Sequence, residues 1–139
     1  MEPEPTLVER DDRWILPFRG TAVTQVQVDA AFGLILDDVG AVRINGTATL
    51  GWADAGSRRE TVTLDPERQD VAAGLALFNT QVVSAVAFKS GALRLVFSSG
   101  RKLTVKPDPQ YEAWTVTGPH RMLIVSPPGG ELAVWPSRP

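Results

Sequence analysis

The one histidine of this chain, His120, stands in a Gly-Pro-His-Arg turn with no acid, serine or second histidine close to it in sequence. A lone imidazole cannot assemble a metal centre, and as a general base it would need a carboxylate such as Glu112 or Glu131 brought to it by the fold. A solvated turn residue is the better reading. Asp37 and Asp38 are adjacent, so on a strand or hairpin their carboxylates diverge and cannot share a proton. The corresponding positions of a second, similar segment are Ser98 and Ser99, which points to turn formation and not to acid catalysis. Pro127-Pro-Gly-Gly130 is rich in glycine, but a phosphate cradle must open a helix, and Glu131-Leu-Ala-Val-Trp135 reads as a strand. No nucleophile elbow, zincin or calcium-loop pattern occurs.

The most suggestive cluster is Tyr111-Glu112-Ala113-Trp114, with Trp135 further on. On a strand, Glu112, Trp114 and Val116 share one face. If that face is core, Glu112 needs a cation such as Arg94, Arg101 or Lys102, because an unpaired buried carboxylate is very costly. If it is surface, Glu112, Trp114 and Trp135 form an aromatic and acidic patch suited to holding a partner, with Tyr111 on the other face of the strand. Large aromatics in short strands are usually core, which favours the ion pair. These four residues are nonetheless the best partner-contact candidates in the chain. No residue is assigned a catalytic, cofactor or metal role.

The elements that must position them are mostly strands. The chain has 139 residues, a net charge of −2, eleven prolines, twelve glycines and no cysteine. That length suits a single domain able to bury a core, and its punctuation favours short strands over helices. Disulfides and thiolate metal sites are excluded, and a cytoplasmic home is the simplest expectation. The absence of a basic cluster argues against nucleic acid, and no apolar run is long enough for a membrane helix.

Two segments share an apolar rhythm: Ala22–Ile44 and Val82–Val105 each read as a three-stranded meander with turns near Asp37-Asp38 and Ser99-Gly100. They predict pseudo-repeats over about 20–52 and 80–114, related by a near two-fold rotation. Between them, Asp65-Pro66 reads as a helix start, and Val71, Leu75 and Phe78 at i, i+4 and i+7 predict one helix near residues 66–78. Gly74 beside that stripe would permit close approach to a sheet. Tyr111–Val116, Met122–Val125 and Glu131–Trp135 are three further short strands, about nine in all. Residues 1–12, acidic and aperiodic, are expected to form a flexible arm ahead of a β-rich domain over 13–139. The predicted fold class is α+β, mainly antiparallel β, with the two meanders packed as a sandwich or partly closed barrel.

Pro107-Asp-Pro-Gln-Tyr-Glu-Ala-Trp114, the Thr117-Gly-Pro119 turn and Pro128-Gly-Gly-Glu-Leu-Ala-Val-Trp135 resemble a family of small actinobacterial proteins of unknown function. The pattern from Val83 to Val105 and the Val23 to Leu36 stretch are similar to it as well. The resemblance implies a bacterial cytoplasmic setting and carries no reaction, cofactor or catalytic residue. In size and composition alone the chain also resembles immunity proteins that neutralise secreted toxins.

The expected function is non-enzymatic protein binding, with immunity-like neutralisation as its sharpest form. An alternative is a carrier holding a small apolar molecule between the meanders, bounded by Trp52, Trp114 and Phe97. The least favoured reading is a hydrolase or lyase using His120 and a carboxylate. Neither cofactor nor metal is expected. Uncovered edge strands could also pair two copies into a homodimer.

Overall fold

The computed structural model describes residues 6–54, 56 and 59–138. Among these residues thirteen antiparallel strands follow one another: β1 (Val8–Glu9), β2 (Arg13–Ile15), β3 (Val23–Val28), β4 (Phe32–Leu36), β5 (Gly40–Ile44), β6 (Ala48–Trp52), β7 (Val62–Leu64), β8 (Val82–Phe88), β9 (Leu93–Phe97), β10 (Arg101–Val105), β11 (Trp114–Gly118), β12 (Met122–Ser126) and β13 (Ala133–Trp135). They form a seven-stranded sheet in the order β1-β2-β8-β9-β10-β6-β7 and a six-stranded sheet in the order β13-β12-β11-β5-β4-β3. The sheets do not close into a barrel. The fold is therefore the sandwich of the two alternatives, mainly antiparallel β.

Period-2 alternation decides which side chains meet between the layers. Phe32, Leu34, Leu36, Val42 and Ile44 of one sheet and Leu50, Leu93, Leu95, Phe97, Leu103 and Val105 of the other are fully enclosed. Burying each such side chain is worth about 1.5–3 kcal/mol, so this shared layer is the main source of stability. Among the described residues no helix is long and apolar enough to cross a membrane.

The two meanders, β3-β4-β5 and β8-β9-β10, match strand by strand. Val23 stands opposite Leu36 with a bulge before Gln25, and Val82 stands opposite Phe97 with a bulge before Ser84. Their turns match too: the Asp37 carboxylate accepts the Ala22 N–H, and the Ser98 hydroxyl oxygen accepts the Gln81 N–H. Ala22 and Gln81 bridge each other. Around that bridge Val23 N–H donates to Thr80 C=O, and Val82 N–H to Thr21 C=O. The strand after each meander crosses to the other sheet, β6 pairing with β10 and β11 with β5.

Between β7 and β8 the chain winds as two 3-10 turns, Pro66–Arg68 and Ala72–Leu77, separated by a left-handed Gln69. The segment falls where a helix is expected, but the tighter winding changes which face is buried. Val71, Gly74 and Leu77, three apart, point inward, while Leu75 and Phe78 are 54% and 57% exposed. The expected stripe Val71, Leu75, Phe78 is corrected accordingly. Gly74 does permit close approach, since a Cβ there would come within 2.5 Å of the Phe32 ring.

Three further expectations change. Val8–Glu9, inside the stretch read as an arm, pair with β2 through Glu9 and Trp14; the first five residues of that arm lie outside the described residues. The predicted Tyr111–Val116 strand begins only at Trp114, leaving Tyr111 and Glu112 in a loop. The last strand spans Ala133–Trp135 and not Glu131–Trp135.

Candidate functional site

The loop before β11 is held from several sides. The Asp108 carboxylate accepts the N–H groups of Gln110 and Tyr111 at 2.8 and 3.0 Å, closing an aspartate turn. Asp108 C=O accepts from Gly129 N–H, and Ala113 C=O from Asn45 N–H. The Asn45 amide also reaches Glu112 C=O at 3.4 Å. Tyr111 is thereby fixed at the backbone and its ring left 68% exposed.

Beneath that ring lies a cleft of about 790 Å³ at one end of the sandwich. Its walls come from four turns. Asp29 arrives from the β3–β4 turn, Asp65 and Glu67 from the 3-10 turn after β7, and Asp108, Tyr111 and Glu112 from the loop before β11; Asn45 and Thr47 from the β5–β6 turn line it too. Five carboxylates thus surround one tyrosine. Asp29 is committed, with its two oxygens 3.1 and 3.2 Å from the Arg43 guanidinium. The Ala31 N–H, above all, and then Arg43 hold its carboxyl below the usual carboxylate range. Among the described residues, Asp65, Glu67, Asp108 and Glu112 take part in no ion pair. Asp65 sits at the N-cap position that its sequence suggests, but its side chain makes no cap bond, so it stays available to the cleft. Such an arrangement can attract and hold cations through Coulomb attraction in a partly walled space.

The four sequence candidates do not converge. Tyr111 and Glu112 line the cleft together. Trp114 is fully buried, its indole N–H donating to Gly91 C=O at 2.9 Å, so it is a core residue and cannot touch a partner. Trp135 is 46% exposed on the outer face of the six-stranded sheet, opposite Leu123 of β12. That row of the sheet lies three residues along β11 from Trp114, at the end away from Tyr111. The ion pair expected for Glu112 is not formed. Arg94 instead packs over Phe88 and Arg101 over Trp52, because Glu112 lies outside the strand that would have aimed it at them.

The sequence of residues 14–136 matches the model of a family of unknown function, DUF6188. The chain belongs to the DUF6188 family. No curated protein and no solved structure matches this DUF6188 chain. His120 is exposed in the 3-10 turn Pro119–Arg121, with left-handed backbone, its C=O accepting from Arg138 N–H. It lines neither the cleft under Tyr111 nor the one beside it on the seven-stranded sheet. Among the described residues no group of three His, Cys, Asp or Glu side chains could hold a metal ion. Of the residues proposed to bound an apolar ligand, Phe97 and Trp114 are core and Trp52 stands half-buried at the sheet end.

Sequence reasoning found Tyr111 and Glu112 but missed Asp29, Asp65, Glu67 and Asp108 as a group. They are scattered over eighty residues of sequence; Asp65 reads locally as a helix start and Asp108 as part of a proline-rich turn. Only the sandwich topology brings them to one end.

Proposed function

We propose that this DUF6188 chain is a non-enzymatic protein-binding domain that takes a basic segment of its partner into the acidic cleft beneath Tyr111. The observation that carries this reading is the set of four carboxylates, Asp65, Glu67, Asp108 and Glu112, free of ion pairs among the described residues around one exposed aromatic ring. Carboxylates steer and select a cationic segment, and a rigid tyrosine supplies contact area at low entropy cost. The same charges would repel nucleic-acid phosphates. Neutralising a basic toxin, as an immunity protein does, is the sharpest form of this reading, and the cysteine-free sequence suits a reducing bacterial cytoplasm. The matching registers, turns and exchanged fourth strands of the two meanders support reading them as copies of one unit.

Fluorescence anisotropy with a labelled oligolysine tests the proposal. The wild-type chain should bind it in a salt-sensitive way, Glu67→Lys/Glu112→Lys should weaken binding at least about tenfold, and Tyr111→Ala by about tenfold. Equal binding of oligolysine and oligoglutamate, or no effect of charge reversal, would contradict the assignment.

A further inference from the structure

At Gly46, Thr47, Asp108 and Ala113 the acidic cleft meets a second one of about 700 Å³. This second cleft runs over the outer face of β10, β6 and β7. Leu103, Leu50 and Leu64 of those strands are core, so alternation turns Lys102, Thr104, Thr49, Gly51 and Thr63 outward. Register sets Thr104 beside Thr49, Thr49 beside Thr63, and Lys102 beside Gly51. The floor is a row of hydroxyls, and the Thr61 side chain covers Gly51, its hydroxyl oxygen 3.0 Å from where a Cβ would stand. Lys106 continues the row past β10.

The charge here is opposite to that of the first cleft. Among the described residues, Lys102 and Lys106 take part in no ion pair, and Asp108 is the one carboxylate of the lining and stands at the shared corner. One strand further, Arg94 lies beside Thr104 with its Nε buried and without a hydrogen-bond partner. At the far end stands Trp52, whose indole N–H donates to Glu60 C=O at 3.2 Å. A chain of net charge −2 therefore carries an acidic limb and a cationic limb joined at one corner.

We infer that the two clefts are one trough for an extended, bipolar segment of the partner protein, with basic residues under Tyr111 and acidic residues running on over Lys102 and Lys106. The inference rests on the acidic cleft being a protein-binding site. The five residues of β6 span about 17 Å, so the cationic limb accommodates about five extended residues. A polyanion long enough to fill that limb would carry its next charges into Asp108 and Glu112, and two copies of this chain would oppose one concave limb to another. A polypeptide that reverses its charge at the corner meets neither difficulty.

Three labelled peptides of equal length test this by anisotropy: a lysine run joined through glycines to a glutamate run, the same with the glutamates replaced by serine, and the same with the lysines replaced by serine. The bipolar peptide should bind about tenfold tighter than the lysine-serine one, since the second run engages intramolecularly. That gain should vanish in Lys106→Glu, an exposed position, and in Lys102→Glu/Lys106→Glu, with the near-ultraviolet dichroism of the tryptophans unchanged. If the bipolar peptide gains nothing over the lysine-serine peptide, the continuous trough is wrong while the acidic cleft stands. If the lysine-serine peptide itself does not bind, the underlying reading fails. A sulfated polysaccharide that binds tighter than the bipolar peptide and is lost in Lys106→Glu would assign the cationic limb to a polyanion and overturn the inference.

Discussion

Trp114, a partner-contact candidate whose residue type favoured the core, is a keystone in the fold. Its enclosed indole and the buried Ser126 hydroxyl both donate to Gly91 C=O. The turn between β8 and β9 in one sheet is thereby tied to the ends of β11 and β12 in the other. Gly91 has φ of +106°, and a Cβ there would come within 2.5 Å of Gly130 C=O, so only glycine fits. Trp114→Ala should cost about 3–5 kcal/mol and Ser126→Ala about 1 kcal/mol, read from urea midpoints. A wild-type midpoint for Trp114→Ala would contradict the packing described. Asp29 gives a pH-dependent test. Its carboxyl is held low, chiefly by the Ala31 N–H and then by Arg43. Folding thus favours the ionised form, and its stabilisation is present above the unfolded pKa and lost as pH falls through the lower folded value. Asp29→Asn should flatten the acid limb of stability over that window, and an acid limb like that of the wild type would refute this role.

At the scale of elements, the 3-10 segment between the meanders separates what sequence periodicity can tell from what it cannot. Alternation and paired glycine turns marked β3, β4, β8, β9 and β10 because a half-buried strand must show period 2. Val71, Leu75 and Phe78 fit an α-helical period equally well on paper. The break at Gln69 and the fit of Gly74 against Phe32 go with a three-residue winding that buries Leu77 instead. Leu77→Ala should therefore cost about 2–5 kcal/mol, and Leu75→Ser and Phe78→Ser should each stay within about 0.5 kcal/mol of wild type. Urea denaturation of the three variants checks the order, and the reverse order would restore an α-helical face. The acidic cleft was not legible in the same way. Asp29 and Asp108 each close a turn locally while Asp65 and Glu67 stand at the start of the 3-10 segment, and no window of sequence contains the pairing of β5 with β11 that helps bring these loops together.

For the whole molecule, the exchange of β6 and β11 between sheets does two things. It interlocks the meanders around one core, and it gathers the β3–β4, β5–β6 and β10–β11 connections at one end, where the carboxylates collect. A net charge of −2 conceals this segregation, which is why bulk composition alone suggested little about partners. Binding through exposed charges should weaken steeply between low and physiological salt. The most direct test of the central claim is to titrate isotope-labelled protein with oligolysine and follow the backbone amides by NMR. Shifts concentrated at Asp29–Ala31, Asn45–Thr47, Asp65–Gln69 and Asp108–Ala113, and lost in Glu67→Lys/Glu112→Lys, are the predicted result. Saturable shifts centred on Trp135 and the outer face of the six-stranded sheet, or none at low salt, would contradict it.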